Sequence, residues 1–310
     1  MNKSKVIVIL GTTASGKTGL GVKLADIFKG EIISADSRQV YVGMDIGSGK
    51  DLPDYVVKKS GRKTKKIKYH LIDMADPRKE FNLKQYQKLA FKALKDILDR
   101  HKLPIIVGGT GLYLQAVIDN YHLSDVKPDI KLREELEPLS SAELYDKLCL
   151  KNKAFAEKLN NSDKNNKRHL IRYLEVLSGD LSYQAKTKEA LYDFLILGLD
   201  IPKEILCPRI LKRLQDRLEQ QDMLGEVKRL HREGVSWERL EGFGLEYRYL
   251  SFYLQDKITY EEMTEKLFIA ICQFAKRQKT WYRRWAKQGK KIHWIKDLEE
   301  AQRLIKDFLD

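Results

Sequence analysis

The sequence predicts an α/β fold: a parallel sheet with helices on both faces, plus a small helical insertion domain. Three observations predict it. Short apolar runs alternate with stretches of helical periodicity. The first apolar run leads directly into a glycine-rich loop and then a helix. A polar stretch from about 123 to 190 lacks apolar runs of strand length and interrupts the alternation. The 310 residues, 43% hydrophobic and 33% charged, suffice for one large domain carrying a smaller one.

In chain order, VIVIL (6–10) reads as a strand, GTTASGKT (11–18) as a tight loop and TGLGVKLADIF as a helix. EIISAD (31–36) and YHLID (69–73) are the next strands. LKQYQKLAFKALKDILDR (83–100) repeats apolar residues at helical spacing. PIIVGG (104–109) is a fourth strand, with a glycine-rich turn and a helix from about Leu112. LREELEPL, SAELYDKLC, AFAEKL and RHLIRYLEVL are short helices of the insertion. YDFLILGLDI (192–201) is a fifth strand, and from 203 the pattern is helical, with a short strand at IHWI (292–295). Strands alternating with helices imply a parallel sheet covered on both sides. The expected domains are 1–122 and 191–310 for the core, with 123–190 inserted.

Gly11, Gly16, Lys17 and Thr18 fit G-x-x-x-x-G-K-[ST], enclosing Thr12, Thr13, Ala14 and Ser15. The glycines let consecutive N–H groups turn inward at a helix N-terminus, Lys17 adds a point charge, and the Thr18 hydroxyl suits Mg²⁺. The strand–loop–helix context makes this a P-loop nucleoside-triphosphate-hydrolase-like sheet with a phosphate site. The loop alone does not say whether the phosphates are transferred or leave.

Asp36 ends a strand at the edge where ligands sit in such sheets. It is read as a Mg²⁺-binding acid, as a general base, or as the cap of a helix begun at Ser37. VGGTGLYLQA (107–116) places a second tight turn at the same edge, with Thr110 at its apex. Arg168 and Arg172, and Arg209, Arg213 and Arg217, form stripes four residues apart. Arginine suits bidentate phosphate recognition.

The formal net charge is +14. An excess of this size favours a polyanionic partner. KKSGRKTKKIK (58–68) has seven Lys/Arg and KRQKTWYRRWAKQGKK (276–291) has eight, neither with an acidic residue. Like charges at i,i+4 repel, so the second run makes most sense opposite nucleic acid, with its aromatic residues turned to the core. Cys149, Cys207 and Cys272 form no C-x-x-C pair and suggest neither a disulfide framework nor a zinc site. The N-terminus lacks a signal-peptide core, and no apolar run approaches the ~20 residues of a membrane span. A cytoplasmic monomer with no membrane association is expected.

Four segments together resemble the tRNA dimethylallyltransferases, the tRNA isopentenyltransferases: GTTASGKT, IISADSRQVYVGMDIGSGKD, VGGTGLYLQA and QFAKRQKTWYRR. RHLIRYLEV, CPRILKR and EYRYL join them in order, so the similarity spans about residues 5 to 285. The resemblance implies transfer of a dimethylallyl group from dimethylallyl diphosphate to N6 of adenosine 37 in tRNA, with pyrophosphate as leaving group. It assigns Asp36 as general base. It assigns Arg209, the loop residues Gly11 to Thr18 and Mg²⁺ on Thr18 to the pyrophosphate. It implies contacts with the tRNA anticodon stem-loop from Asp36, Ser37, Arg38, Gln39, Thr110, Lys131, Arg168, Arg172, Tyr247, Arg248, Lys276, Arg277, Gln278, Trp281 and Arg283. The 123–190 insertion corresponds to a domain that clamps the stem-loop. The chain departs from the family pattern at Thr12, usually proline, at GSGKD in place of GTAKP, at Arg168 and His169, and at Glu246, usually glycine. A small-metabolite kinase, a prenyltransferase of free AMP or ATP, and a non-catalytic RNA-binding protein are the competing readings.

Overall fold

A computed structural model describes residues 3–58, 64–181, 187 and 189–310. Part of the basic run at 58–68 and part of the insertion lie outside these residues. The chain divides into two compact units, 1–119 with 190–310, and 120–189.

The larger unit holds a six-stranded sheet. Its strands are β1 (Lys5–Gly11), β2 (Glu31–Ala35), β5 (Tyr69–His70), β6 (Pro104–Gly108), β7 (Asp193–Leu199) and β8 (His293–Trp294). They lie in the order β5-β2-β6-β1-β7-β8, and every pairing is parallel. A separate antiparallel hairpin pairs β3 (Val56–Lys58) with β4 (Thr64–Lys66).

The strand period of two splits the core. Val6, Val8 and Leu10 face α2 (Leu83–Asp99) and α3 (Gly111–Ile118), while Ile7 and Ile9 face α1 (Lys17–Ile27) and α14 (Leu298–Leu309). The helical periodicity of 83–100 thus becomes one apolar face, whose first turn is closed by a capping box between Asn82 and Gln85. A third apolar cluster joins α9 (Lys203–Glu219), α10 (Met223–Arg232), α11 (Trp237–Phe243), α12 (Leu245–Leu254) and α13 (Tyr260–Lys287).

The smaller unit is helical: α4 (Ile130–Leu136), α5 (Ser141–Lys151), α6 (Lys153–Glu157), α7 (Asn161–Lys164) and α8 (Lys167–Gly179). Leu136, Leu144, Leu148, Leu170 and Leu174 form its own core. Among the described residues, no helix is long and apolar enough to cross a membrane.

The expected third strand, YHLID, is cut to two residues. Leu71 and Asp73 take left-handed backbone (φ 63 and 56), which ends the extended run although Leu71 and Ile72 are buried.

Candidate active site

Leu10 and Ala35 both pair with Gly108, so β1, β2 and β6 end at one level. The loops leaving these ends line a cavity of about 500 Å³, within the range of small-ligand sites.

In the phosphate loop, Ala14 and Gly16 take positive φ (58 and 85), turning the chain into α1. The first-turn amides of α1, at Lys17 and Thr18, have no partner within the helix and suit an anion. Other loop amides are already engaged. Thr13 N–H donates to Gln278 Oε1 (2.8 Å) and Ser15 N–H to the Thr12 carbonyl (3.3 Å). Among the described residues, the Thr12 and Ser15 hydroxyls are buried without a hydrogen-bonding partner.

Lys17 Nζ donates to the Thr12 carbonyl at 3.2 Å. Burial lowers its pKa to about 8 against the opposing pull of Asp36, and Arg213 adds to the lowering. The ammonium is therefore charged below about pH 8 in the free protein and increasingly neutral above it. Affinity for an anion such as inorganic pyrophosphate is expected to weaken as pH rises through that value. Titration calorimetry of Lys17→Arg, which stays charged, should show the fall abolished.

The α9 stripe faces the same cavity. Arg209 lines it from an exposed position. Arg213 Nη2 donates to the Thr13 hydroxyl, and burial, helped by Arg217, lowers its pKa to about 10. Arg217 is buried and pairs with Asp51 at 3.2 Å. Spacing marks Arg213 as a stripe member, but its contact with the loop comes only from tertiary packing.

Asp36 is half-buried just past β2. Its Oδ1 accepts N–H bonds from Arg38 (2.9 Å) and Gln39 (3.3 Å), closing a turn and not the helix cap that Ser37 suggested. Ser37 N–H donates to Thr110 Oγ1 (3.1 Å), tying this turn to the one after β6. Gln39 is held at both ends of its amide, accepting from the Ser34 hydroxyl and donating to the Gly49 carbonyl, each at 2.8 Å. Arg38 donates to the Phe243 carbonyl (2.8 Å) and faces buried Glu246 at 3.8 Å.

Sequence reasoning misses the anchor of the loop that carries Gly49. Buried Glu226 accepts from the amides of Asp45 (2.8 Å), Ile46 (2.7 Å) and Gly47 (3.0 Å) and from the Tyr247 hydroxyl (2.8 Å). Lys50, also buried, joins Asp45, Asp73 and the Tyr41 carbonyl. Glu226→Ala leaves buried donors unpaired, at ~1–3 kcal/mol each. Denaturant unfolding should show a loss of about 3 kcal/mol or more.

Two of the expected RNA contacts have side chains that turn inward. Tyr247 is fully buried, its hydroxyl bonded to Glu226. Gln278 is 7% exposed, and its amide joins the phosphate loop to Gly109. The other α13 residues divide by face. Trp281 lines the cavity, so close to Gly111 that a Cβ there would lie 2.4 Å from its ring. Lys276, Arg277 and Arg283 are exposed. Arg248 is exposed and donates to the Glu241 carbonyl (3.1 Å). In the smaller unit, Lys131 and Arg168 are exposed. Arg172 there braces Glu175 and the Val126 carbonyl, each at 2.7 Å. His169 bonds Asp163 at 2.7 Å.

Among the described residues no cluster of three or more His, Cys, Asp or Glu side chains forms a self-sufficient metal site. Mg²⁺ between phosphates needs only one or two protein oxygens. Thr18, Asp36, Asp51 and Asp54 line the cavity and offer such hard oxygen donors, so the residues fit that ion.

Comparison with known proteins bears on the identity of this site. The family model for IPP transferase matches residues 39–285. The tRNA dimethylallyltransferase 1 of Syntrophus aciditrophicus is 44% identical over 308 residues, covering 97% of each chain. The tRNA dimethylallyltransferase 2 of Citrifermentans bemidjiense is 45% identical, covering 94% of this chain and 90% of its own. The solved tRNA isopentenylpyrophosphate transferase of Bacillus halodurans aligns with a TM-score of 0.68 and 32% identity, over 99% of this chain and 96% of that one. A eukaryotic dimethylallyltransferase solved acting on tRNA aligns with a TM-score of 0.77 and 27% identity, over 99% and 79%. The chain belongs to the IPP transferase family, alongside the tRNA dimethylallyltransferases, and is a prenyltransferase enzyme.

Proposed function

We propose that this enzyme transfers a dimethylallyl group from dimethylallyl diphosphate to N6 of adenosine 37 in the anticodon stem-loop of tRNA, releasing pyrophosphate. The observation that carries the proposal is a single cavity lined by Asp36, the phosphate loop and Arg209. A proton acceptor and a diphosphate cradle at one site suit displacement at the allylic carbon between them.

Asp36 accepts the proton that the weakly nucleophilic adenine amine loses as the N–C bond forms. The C–O bond breaks with it, and charge grows on the pyrophosphate. Lys17, the first-turn amides of α1, Arg209 and Arg213 stabilise that charge. Mg²⁺, when bound, supplies further neutralisation there, held by Thr18. Thr110 and Gln39 fix the turn that carries Asp36. The adenine must leave its stack to enter, which a single-stranded loop permits at least cost. Lys276, Arg277, Arg283 and Arg248 bind RNA phosphates, as do Lys131 and Arg168 of the smaller unit. The enzyme works as a cytoplasmic monomer.

The test offers labelled dimethylallyl diphosphate and Mg²⁺ with unmodified stem-loops in one set of tubes, and AMP or ATP in another. Label on RNA alone is expected. Label on free nucleotide alone would replace RNA as the acceptor. Neutralising Lys276, Arg277 and Arg283 together should weaken stem-loop binding and reduce its log–log salt slope by about one for each phosphate no longer neutralised. An unaltered slope would remove that face from the RNA site.

A further inference from the structure

Gln278 lies in a strongly basic stretch of the chain, between Arg277 and Lys279, yet its side chain points inward. An amide presents an acceptor and a donor side by side, and here both are used. Oε1 accepts the Thr13 N–H and Nε2 donates to the Gly109 carbonyl, each at 2.8 Å. The contact is tight, since a Cβ on Gly109 would lie 2.4 Å from Nε2. One helical turn on, the buried Tyr282 hydroxyl lies 3.0 Å from the Gly109 carbonyl and 3.2 Å from that of Gly11.

The hydrogen bonds continue from Gly109 toward the base. Thr110 N–H donates to the Ala35 carbonyl (3.1 Å), and Thr110 Oγ1 receives the N–H of Ser37, the residue after Asp36. The diphosphate cradle and the Asp36 turn are thus both referred to Gly109 and Thr110, and Gln278, with Tyr282, ties the cradle there.

We propose that Gln278 is a positioning residue that fixes the phosphate loop against the Thr110 turn, and that it makes no RNA contact of its own. This rests on the prenyl-transfer reading for what the loop holds. Displacing a preorganised group by about 1 Å costs on the order of 10²-fold in rate, so the effect belongs in kcat and diphosphate affinity.

The test compares Gln278→Met and Tyr282→Phe with the wild-type enzyme. Inorganic pyrophosphate binding is read by calorimetry, stem-loop binding by fluorescence anisotropy, and turnover by label transfer. Gln278→Met is expected to lose about tenfold in pyrophosphate affinity and to fall in kcat, with stem-loop affinity unchanged. Tyr282→Phe should move the same two quantities by less. Arg283→Ala, on the outer face, should lose stem-loop affinity with pyrophosphate binding retained. Loss of stem-loop affinity in Gln278→Met with pyrophosphate affinity retained would overturn the proposal, as would no change in any quantity. If Gln278→Met fails to fold, Tyr282→Phe decides by the same criteria. Should wild-type enzyme bind pyrophosphate but put no label on RNA, prenyl transfer to RNA fails while the positioning role is still judged on pyrophosphate binding.

Discussion

Asp36→Ala is expected to lower kcat by about 10²–10⁴-fold, the usual range for a general base. The carboxylate stands at the C-terminal end of β2, in the cavity that also holds the phosphate loop. Its Oδ1 closes the turn through Arg38 and Gln39, while among the described residues Oδ2 has no hydrogen-bonding partner. Asp36→Asn keeps an oxygen for those turn bonds and removes only the basicity. Loss of turnover in both variants, with stem-loop affinity retained, separates proton transfer from turn geometry. If Asp36→Asn turns over normally, Asp36 is not the base.

Lys17→Ala is the second large effect, about 10²–10³-fold in kcat together with weaker diphosphate binding. The ammonium sits at the start of α1 beside the Thr12 carbonyl, and Arg213 donates to the neighbouring Thr13 hydroxyl. On the proposed mechanism it meets a charge that grows as the C–O bond breaks, so its loss should exceed the ground-state binding term. Single-turnover transfer at saturating dimethylallyl diphosphate isolates the kinetic part. A rate that recovers fully at saturation would make Lys17 a binding residue only.

Much of this site is legible in the sequence because its elements are local. The phosphate loop, the strand ending at Asp36 and the Gly-Gly-Thr-Gly turn each announce themselves within ten residues or so of chain, and the parallel sheet brings their ends together. What is not legible depends on long-range partners. Glu226 is an unremarkable helical glutamate until the loop at 45–47 folds onto it. Tyr247 and Gln278 lie in motif segments, and a motif does not say which of its side chains turn inward. The hairpin at Val56–Lys58 and Thr64–Lys66 offers no apolar alternation to read, since most of its residues are exposed. YHLID reads as longer than it is because buried apolar residues at a strand end mimic the strand itself.

The most direct measurement follows both halves of the donor at once. Dimethylallyl diphosphate labelled on the prenyl carbons and, separately, on the phosphorus is turned over with a stem-loop. RNA and released phosphate species are then counted. The expected result is one pyrophosphate released for each dimethylallyl group found on the target adenine, with no phosphorus label on RNA. Phosphorus on the RNA, or pyrophosphate released without prenylated adenine, would contradict the assignment of the phosphates as leaving group.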